Sequence, residues 1–359
     1  MPELFELLKA PRHEFDADEI KKLFGFVCQA RVERLSKTLE ADLTVNLPNI
    51  YNRRKKLADY RANPYVLLAT ANVMNLSDPS KFADFLFNSK LSMGLETSFG
   101  KIIERAFVSG YPCDINDGWA DPPEKVAEFE AEKRATGRQA KAAIRNNSIW
   151  REIDKGVLVG KRRYLTSIKS GPNTINDTQV QGMADAIATK HEAWWQQSLD
   201  KYPDLEGLDI VIGLTYGTER STNNKDNQIL AKLLDRGFEE LDQNSHPGIL
   251  VDTATKRIRV YRRVGQNFWS WIGAPDNEAR FPQVFLEILL ATTIALANIL
   301  KEGTEIEEGI NQRLAALAGA LMKMRFSKDS LPKWISDDVS DDQLFWFATA
   351  MSSFYDDGV

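Results

Sequence analysis

The chain has 359 residues, of which 43% are apolar, 10% aromatic and 27% charged, enough for one large domain or two ordinary ones around a sizeable core. Its two cysteines, Cys28 and Cys113, form no paired spacing, which argues against a disulfide framework or a cysteine zinc site and points to a reducing, cytoplasmic setting. The net charge of −5 argues against a uniformly basic surface, and the opening MPELFELLKAPRHEFDADE lacks the apolar run of a signal peptide.

In chain order, apolar spacing predicts a helix over Asp16 to Lys37, a break at NLPNIYN, a basic helix start from Arg53 to Tyr60, and a segment opened by Asn63-Pro64. Ser80 to Asn88 and Glu96 to Val108 read as two further amphipathic helices. Ser109 to Pro123 is a Gly-, Pro- and Asp-rich loop, and Glu124 to Arg145 a polar helix with little apolar face, suited to a surface or a DNA-facing side. A hairpin follows, then a helix capped at Asp177 or Thr178 and running to about Leu199. Leu208 to Tyr216 is an apolar strand, Thr218 to Asn227 a polar loop, Gln228 to Leu241 a helix, and Arg257 to Arg263 an alternating strand. Phe281 to Met324 is strongly helical, and Asp337 to Phe354 adds one more helix. The longest apolar run, Ile288 to Leu300, is shorter than the roughly 20 residues of a membrane span, so it predicts a buried helix and no membrane partner. The single histidines His13, His191 and His246 make a multi-histidine metal site a poor reading.

Charge is unevenly spread. Between Lys133 and Arg163 ten Lys or Arg face only Glu152 and Asp154, and Lys256 to Arg263 holds five basic residues in eight. Such local fields fit a polyanionic ligand, although a solvated charged face looks the same.

The hairpin, WREIDKGVLVGKRRYLTSIKSGPNTIN, carries the chemistry. Gly160-Lys161 suits a two-residue turn. That turn sets Val159 against Arg162 and Asp154 against Ser167, and strand alternation puts Ser167 and Lys169 on one face. A carboxylate and an ammonium at one hairpin end, with the Ile168 carbonyl between, can hold a divalent metal and orient a water, as a metal-dependent phosphodiesterase needs. Glu104, in FGKIIERAF, is a candidate for aiming a second carboxylate there, or a plain surface glutamate.

The order acid, hairpin, x-Lys resembles the PD-(D/E)XK nuclease signature, and the blocks ETSFGKIIE, SIKSGPNTIN, GLTYGTE and VGQNFWSWIG look like one branch of its type II restriction endonucleases. The resemblance spans Glu96 to Gly273. It implies an α/β fold, a PD-(D/E)XK nuclease core of mixed β-sheet flanked by helices, with helical N- and C-terminal additions. The regions would be 1–95, 96–275 and 276–359. It further implies Mg²⁺, a sequence-specific cut of double-stranded DNA leaving 5′-phosphate and 3′-hydroxyl ends, and a homodimer matched to a palindrome. The apolar helix Phe285 to Leu300 is available for that interface or for the core. Asp154, Lys169, Ser167 and Glu104 would form the catalytic set, with Asp154, Ile168, Glu104 and Asp185 around the metal.

The sequence departs from the signature at Ser167, where a second acid is expected. Some enzymes of this superfamily recruit an acid from the following helix, which makes Asp185 and Asp177 candidates. Arg151, Arg162 and Arg163 are suited to phosphates, and Arg220, Asn223 and Lys225 in the polar loop to base edges. Asn173 and Asn176 are suited to phosphate contact or simply to the turn after Gly171-Pro172. Trp269 and Trp271 read as core packing. Two other functions stay open: a nuclease directed by DNA structure, and a DNA-binding protein that has lost its chemistry at Ser167.

Overall fold

A computed structural model describes residues 17–52, 60, 63–103, 105, 108–111, 118–171, 175–218, 225–241, 248–301, 304–323, 333 and 338–351. They form two compact units, residues 1–39 with 99–293 and residues 40–98 with 294–359.

The first unit is α/β. Its sheet has six strands, β1 (Lys155–Val159), β2 (Arg162–Lys169), β3 (Gly207–Leu214), β4 (Phe238–Glu240), β5 (Leu250–Asp252) and β6 (Ile258–Val264), in the order β1-β2-β3-β6-β5-β4. β2, β3 and β6 run parallel, while β1, β5 and β4 pair antiparallel, so the sheet is mixed. Central β3, GLDIVIGL, is buried at every position, as a strand covered on both faces must be.

Helices α1 (Ala17–Gly25), α2 (Gln29–Asn52), α3 (Pro64–Val73), α4 (Pro79–Ile102), α5 (Pro123–Arg134) and α6 (Arg138–Asn147) precede the sheet. The chain then crosses from β2 to β3 through α7 (Asp177–Lys201), and α8 (Lys225–Leu234) follows β3. One core joins Val180, Met183, Ile187 and Trp194 of α7 and Ile229 and Leu233 of α8 to Leu165, Ile210, Ile212 and Val260 of the sheet. Elsewhere in the unit, α9 (Gln266–Gly273) contributes Phe268, Trp269 and Trp271, all buried, and Trp271 lies 4.8 Å from Trp119 between ring centres. Trp269 and Trp271 are therefore core residues, as expected.

In the second unit, α3 and α4 share a cluster with α11 (Thr304–Met322) and α12 (Asp341–Met351). Phe82 meets Phe345 edge-on at 5.5 Å, and Trp346 Nε1 donates to the Leu76 carbonyl at 2.9 Å. This differs from three successive regions: segments from both parts of the chain share one core, a pairing that local periodicity does not encode. Helix α10 (Val284–Lys301) buries Val284, Ile288, Ala291, Ala295 and Ile299 and leaves Leu289 and Ile294 exposed. No helix among the described residues is long and apolar enough to cross a membrane.

Other boundaries moved for identifiable reasons. The helix expected over Asp16 to Lys37 breaks before Gln29, because the Cys28 N–H is taken by Glu287 Oε1 at 3.0 Å. The break expected at NLPNIYN is absent, since α2 runs through it to Asn52. Ser80–Asn88 and the start of Glu96–Val108 belong to one helix, α4. The Glu124–Arg145 helix is two, interrupted at residues 135–137. The Gln228–Leu241 helix stops at Leu234, and Phe238 begins a short strand. The Arg53–Tyr60 helix start, apart from Tyr60, lies outside the described residues, as do His13, Cys113 and His246.

Glu287 is fully buried, clamped by Arg31 through Nε at 2.8 Å and Nη2 at 3.0 Å, with the Tyr111 hydroxyl at 3.3 Å. Removing one partner of a buried ion pair strands the other charge. Glu287→Ala is expected to cost about 3–5 kcal/mol, read as a lower urea midpoint at unchanged slope; a loss under ~1 kcal/mol would refute it.

Candidate active site

The hairpin has the expected register. Val159 pairs with Arg162 and Lys155 with Thr166, so the next step outward sets Asp154 against Ser167. Gly160 supplies φ +57° at the first turn position, the II′ geometry whose twist suits a hairpin. The Asp154 N–H donates to the Thr166 carbonyl at 2.8 Å, extending the ladder, and the Ile168 N–H donates to Asp154 Oδ2 at 2.6 Å. A strand residue points its N–H and C=O to the same side, so the Ile168 carbonyl faces the region beyond the end of β1, beside Asp154.

The segment before β1 is pinned to α7. Trp194 Nε1 donates to the Ile149 carbonyl at 2.9 Å, Trp150 Nε1 to Gln197 at 2.8 Å, and Lys190 to the Ser148 carbonyl at 3.1 Å. From α5, Lys125 donates to the Ile153 carbonyl at 2.6 Å and stands 3.8 Å from Asp154 Oδ1.

The four sequence blocks meet at the carboxyl ends of β2, β3 and β6. Thr215 donates from N to the Lys169 carbonyl and from Oγ1 to the Ser170 carbonyl, both at 3.0 Å, and accepts from Trp269 Nε1 at 2.8 Å. The Tyr216 ring occupies the space that a side chain on Gly171 would need, and the Gly217 carbonyl does the same at Gly265. Gly100 faces Ser170, where an added Cβ would come to 3.4 Å. A packed ring at Gly171 and a backbone carbonyl at Gly265 leave no room for a side chain at either position.

A cavity of about 350 Å³ opens there, lined by Arg151, Glu152, Lys169, Thr178, Gln179 and Gly182 over a floor of Ile175, Met183 and Ile229. Glu152 was missed in the sequence. It makes no hydrogen bond or ion pair among the described residues, yet its charge reaches Asp154. The signal was available as Glu-Ile-Asp, two acids two residues apart beside the turn into β1.

Ser167 is 2% exposed, with its hydroxyl unpartnered. Asp185 is turned to Arg236 and to Gln181 Nε2 at 2.9 Å, which hold its carboxyl below the ordinary range, and it does not line the cavity. Asp177 pairs with Lys225. Asn176 caps α7, accepting from the Gln179 N–H at 2.9 Å in a reciprocal capping box, so the cap falls one residue before the expected Asp177 or Thr178. Arg163 is buried against Glu124, at 3.0 and 2.9 Å, and Ser198, so its guanidinium faces inward. Arg162 reaches Asp209 at 2.6 Å. Arg151 is exposed and lines the cavity. Glu104, Asn173, Arg220 and Asn223 lie outside the described residues.

The second basic cluster is mostly neutralised: Arg259 binds Asp209, Arg262 binds Asp226, Arg263 binds Glu278 and Lys256 binds Glu239. It is not a free polyanion surface.

Burial raises the Asp154 carboxyl above its ordinary value; Lys169, the Ile168 N–H and Lys125 oppose the rise, and Glu152 adds to it. Among the described residues no three His, Cys, Asp or Glu side chains cluster at metal-binding spacing. The candidate donors near the hairpin end are all oxygens: the Asp154 carboxylate with the Ile168 carbonyl beside it, the orphaned Ser167 hydroxyl across the hairpin, and Glu152, two residues before Asp154, at the cavity. An all-oxygen set fits a hard cation such as Mg²⁺. Compared with known proteins, the chain matches no protein-family model and no curated sequence.

A carboxyl with a raised folded-state pKa binds protons more readily folded than unfolded. Its charged form therefore costs stability above that raised value, and the cost vanishes below the ordinary unfolded one. Asp154→Asn is expected to raise the melting temperature near pH ~7.5 and to lose that advantage near pH ~3. Equal shifts at both pH values, by calorimetry, would show that charge burial is not the cause.

Proposed function

We propose that this protein is a Mg²⁺-dependent type II restriction endonuclease that hydrolyses both strands of DNA at a short sequence. The observation that carries the reading is the hairpin register, which sets Asp154 against Ser167 with the Ile168 carbonyl beside it, while Lys169 and Glu152 line the cavity. The resemblance of the glycine-rich blocks to that enzyme branch supports it, as does their meeting around Lys169.

In this reading Asp154 and Ile168 O, with Glu152 and the Ser167 hydroxyl as further oxygens, would hold Mg²⁺, which would supply charge neutralisation at the scissile phosphate and acidify water. Lys169 makes no hydrogen bond or ion pair among the described residues. It positions the attacking water and offsets the negative charge gathering on the phosphoryl oxygens. The water oxygen bonds to phosphorus, the P–O3′ bond breaks, and the 3′ oxygen takes a proton, leaving 5′-phosphate and 3′-hydroxyl ends. Arg151, at the rim, contacts phosphate. A homodimer sets one such site on each strand of a palindrome.

The test is digestion of phage DNA with and without Mg²⁺. Discrete fragments are expected from wild type with metal, at least about a hundredfold slower cleavage for Asp154→Ala and Lys169→Ala, and a Mg²⁺ requirement raised by about tenfold or more for Glu152→Gln. Intact DNA with wild type would overturn the reading. A smear without bands would favour a nuclease directed by DNA structure. Specific binding without cutting would favour a binding protein, the alternative that Ser167 keeps open. Sedimentation with and without DNA checks the dimer; a monomer in both would refute it.

A further inference from the structure

Of the ten basic residues between Lys133 and Arg163, six face acids: Lys133 with Glu130, Arg145 with Glu132, Lys155 with Asp121, Lys161 with Glu206, Arg162 with Asp209 and Arg163 with Glu124. Arg134, Arg138, Lys141 and Arg151 make no ion pair among the described residues. Three of these flank or lie on α6, and the fourth lies between it and Asp154.

α6, RQAKAAIRNN, is unusual in the fold. It contains no acid and no buried residue, and only Ile144 is even half-buried, lining a cavity of about 320 Å³ with Val126 and Phe129 of α5. A ten-residue helix that buries so little is marginal by its own propensity. At ~100° per residue, the side away from Ile144 presents Arg138, Gln139, Ala142 and Asn146, while Arg145 turns towards α5 and lines the same cavity as Ile144. Guanidinium and carboxamide groups therefore stand out from a stem kept thin by Ala142 and Ala143. Arg145 is steadied by Glu132. The chain from the end of α6 to Asp154 is the segment pinned to α7, so α6 has a fixed relation to the catalytic carboxylate.

We propose that α6 is the element that enters the major groove of duplex DNA, with Arg138 and Lys141 on phosphates and Gln139 and Asn146 on base edges. This rests on the endonuclease reading for the identity of the polyanion. The major groove admits one α-helix, Asn and Gln can pair bidentately with adenine, and phosphates take point charges from the flanks. The absence of any acid on the helix and the unpaired cations beside it give charge complementarity to one occupant, a nucleic-acid duplex.

Two double variants on this exposed helix, Arg138→Gln/Lys141→Gln and Gln139→Ala/Asn146→Ala, separate the roles; circular dichroism melts verify that both fold. Linear plasmid DNA without Mg²⁺ is titrated across a salt series, and phage DNA is digested with Mg²⁺. The charge variant is expected to bind about tenfold more weakly, with a salt slope shallower by about 1–2. The amide variant is expected to keep the slope and to change the fragment pattern. Cleavage and binding by both variants identical to wild type would overturn the α6 assignment and leave the endonuclease reading standing. Binding by wild type without cleavage, weakened by the charge variant, would support α6 and sink the nuclease. Neither binding nor cleavage by wild type would overturn both.

Discussion

A carboxylate that is mostly removed from water at the end of a β-hairpin needs something to hold it, and the surroundings of Asp154 are arranged around that requirement. Its Oδ2 accepts the Ile168 N–H, which has no partner on β1 because β1 begins one residue after Asp154. Lys125 and Lys169 supply charge from two different elements. The compensation is incomplete, since the carboxyl is still raised above its ordinary value. A divalent cation is the kind of ligand that would relieve it. The fold thus keeps a local electrostatic cost at the one place where several short motifs meet, a pattern more typical of a site than of a core.

The same logic sorts the basic residues. A chain with net charge −5 carries 46 Lys and Arg, and most of those in its two dense clusters are matched with acids, some deep inside. Asp209, 1% exposed, takes Arg162, Arg259 and the Tyr261 hydroxyl together. Buried ion pairs of this kind fix geometry and leave no field at the surface. What these clusters leave without an ion pair among the described residues is Arg134, Arg138, Lys141, Arg151 and Arg257. Cluster density in a sequence therefore overstates the usable charge, and pairing decides it.

Much of the site was legible because a two-residue turn fixes register. Once Gly160-Lys161 is the turn, the neighbours of Asp154 follow by counting, and the parity of Ser167 and Lys169 follows with them. The central strand was legible as a continuous apolar run, and α7 as a helix starting near Asp177, although its cap is Asn176 and not the expected Asp177 or Thr178. Tertiary pairing was not. Nothing local tells that Arg163 is buried by Glu124 while Arg151 is exposed, or that Asp185 belongs to Arg236. Three-residue strands such as β4 and β5 carry too little pattern to read, and the joining of 40–98 with 294–359 is a long-range event.

Ser167 is the departure that most needs a physical account. It is 2% exposed, on the same face as Asp154 and directly across the hairpin from it. A carboxylate there would bury a second like charge beside one whose pKa is already raised, with Glu152 adding to the repulsion. A second acid at Glu152, in the turn before β1, as proposed, would avoid that burial, because the group lines an open cavity. The serine hydroxyl, small and without a partner, preserves an oxygen at the strand position at far lower desolvation cost. In the proposed enzyme the second carboxylate has thus moved from strand to loop, which keeps the donor count while lowering the charge buried in the hairpin.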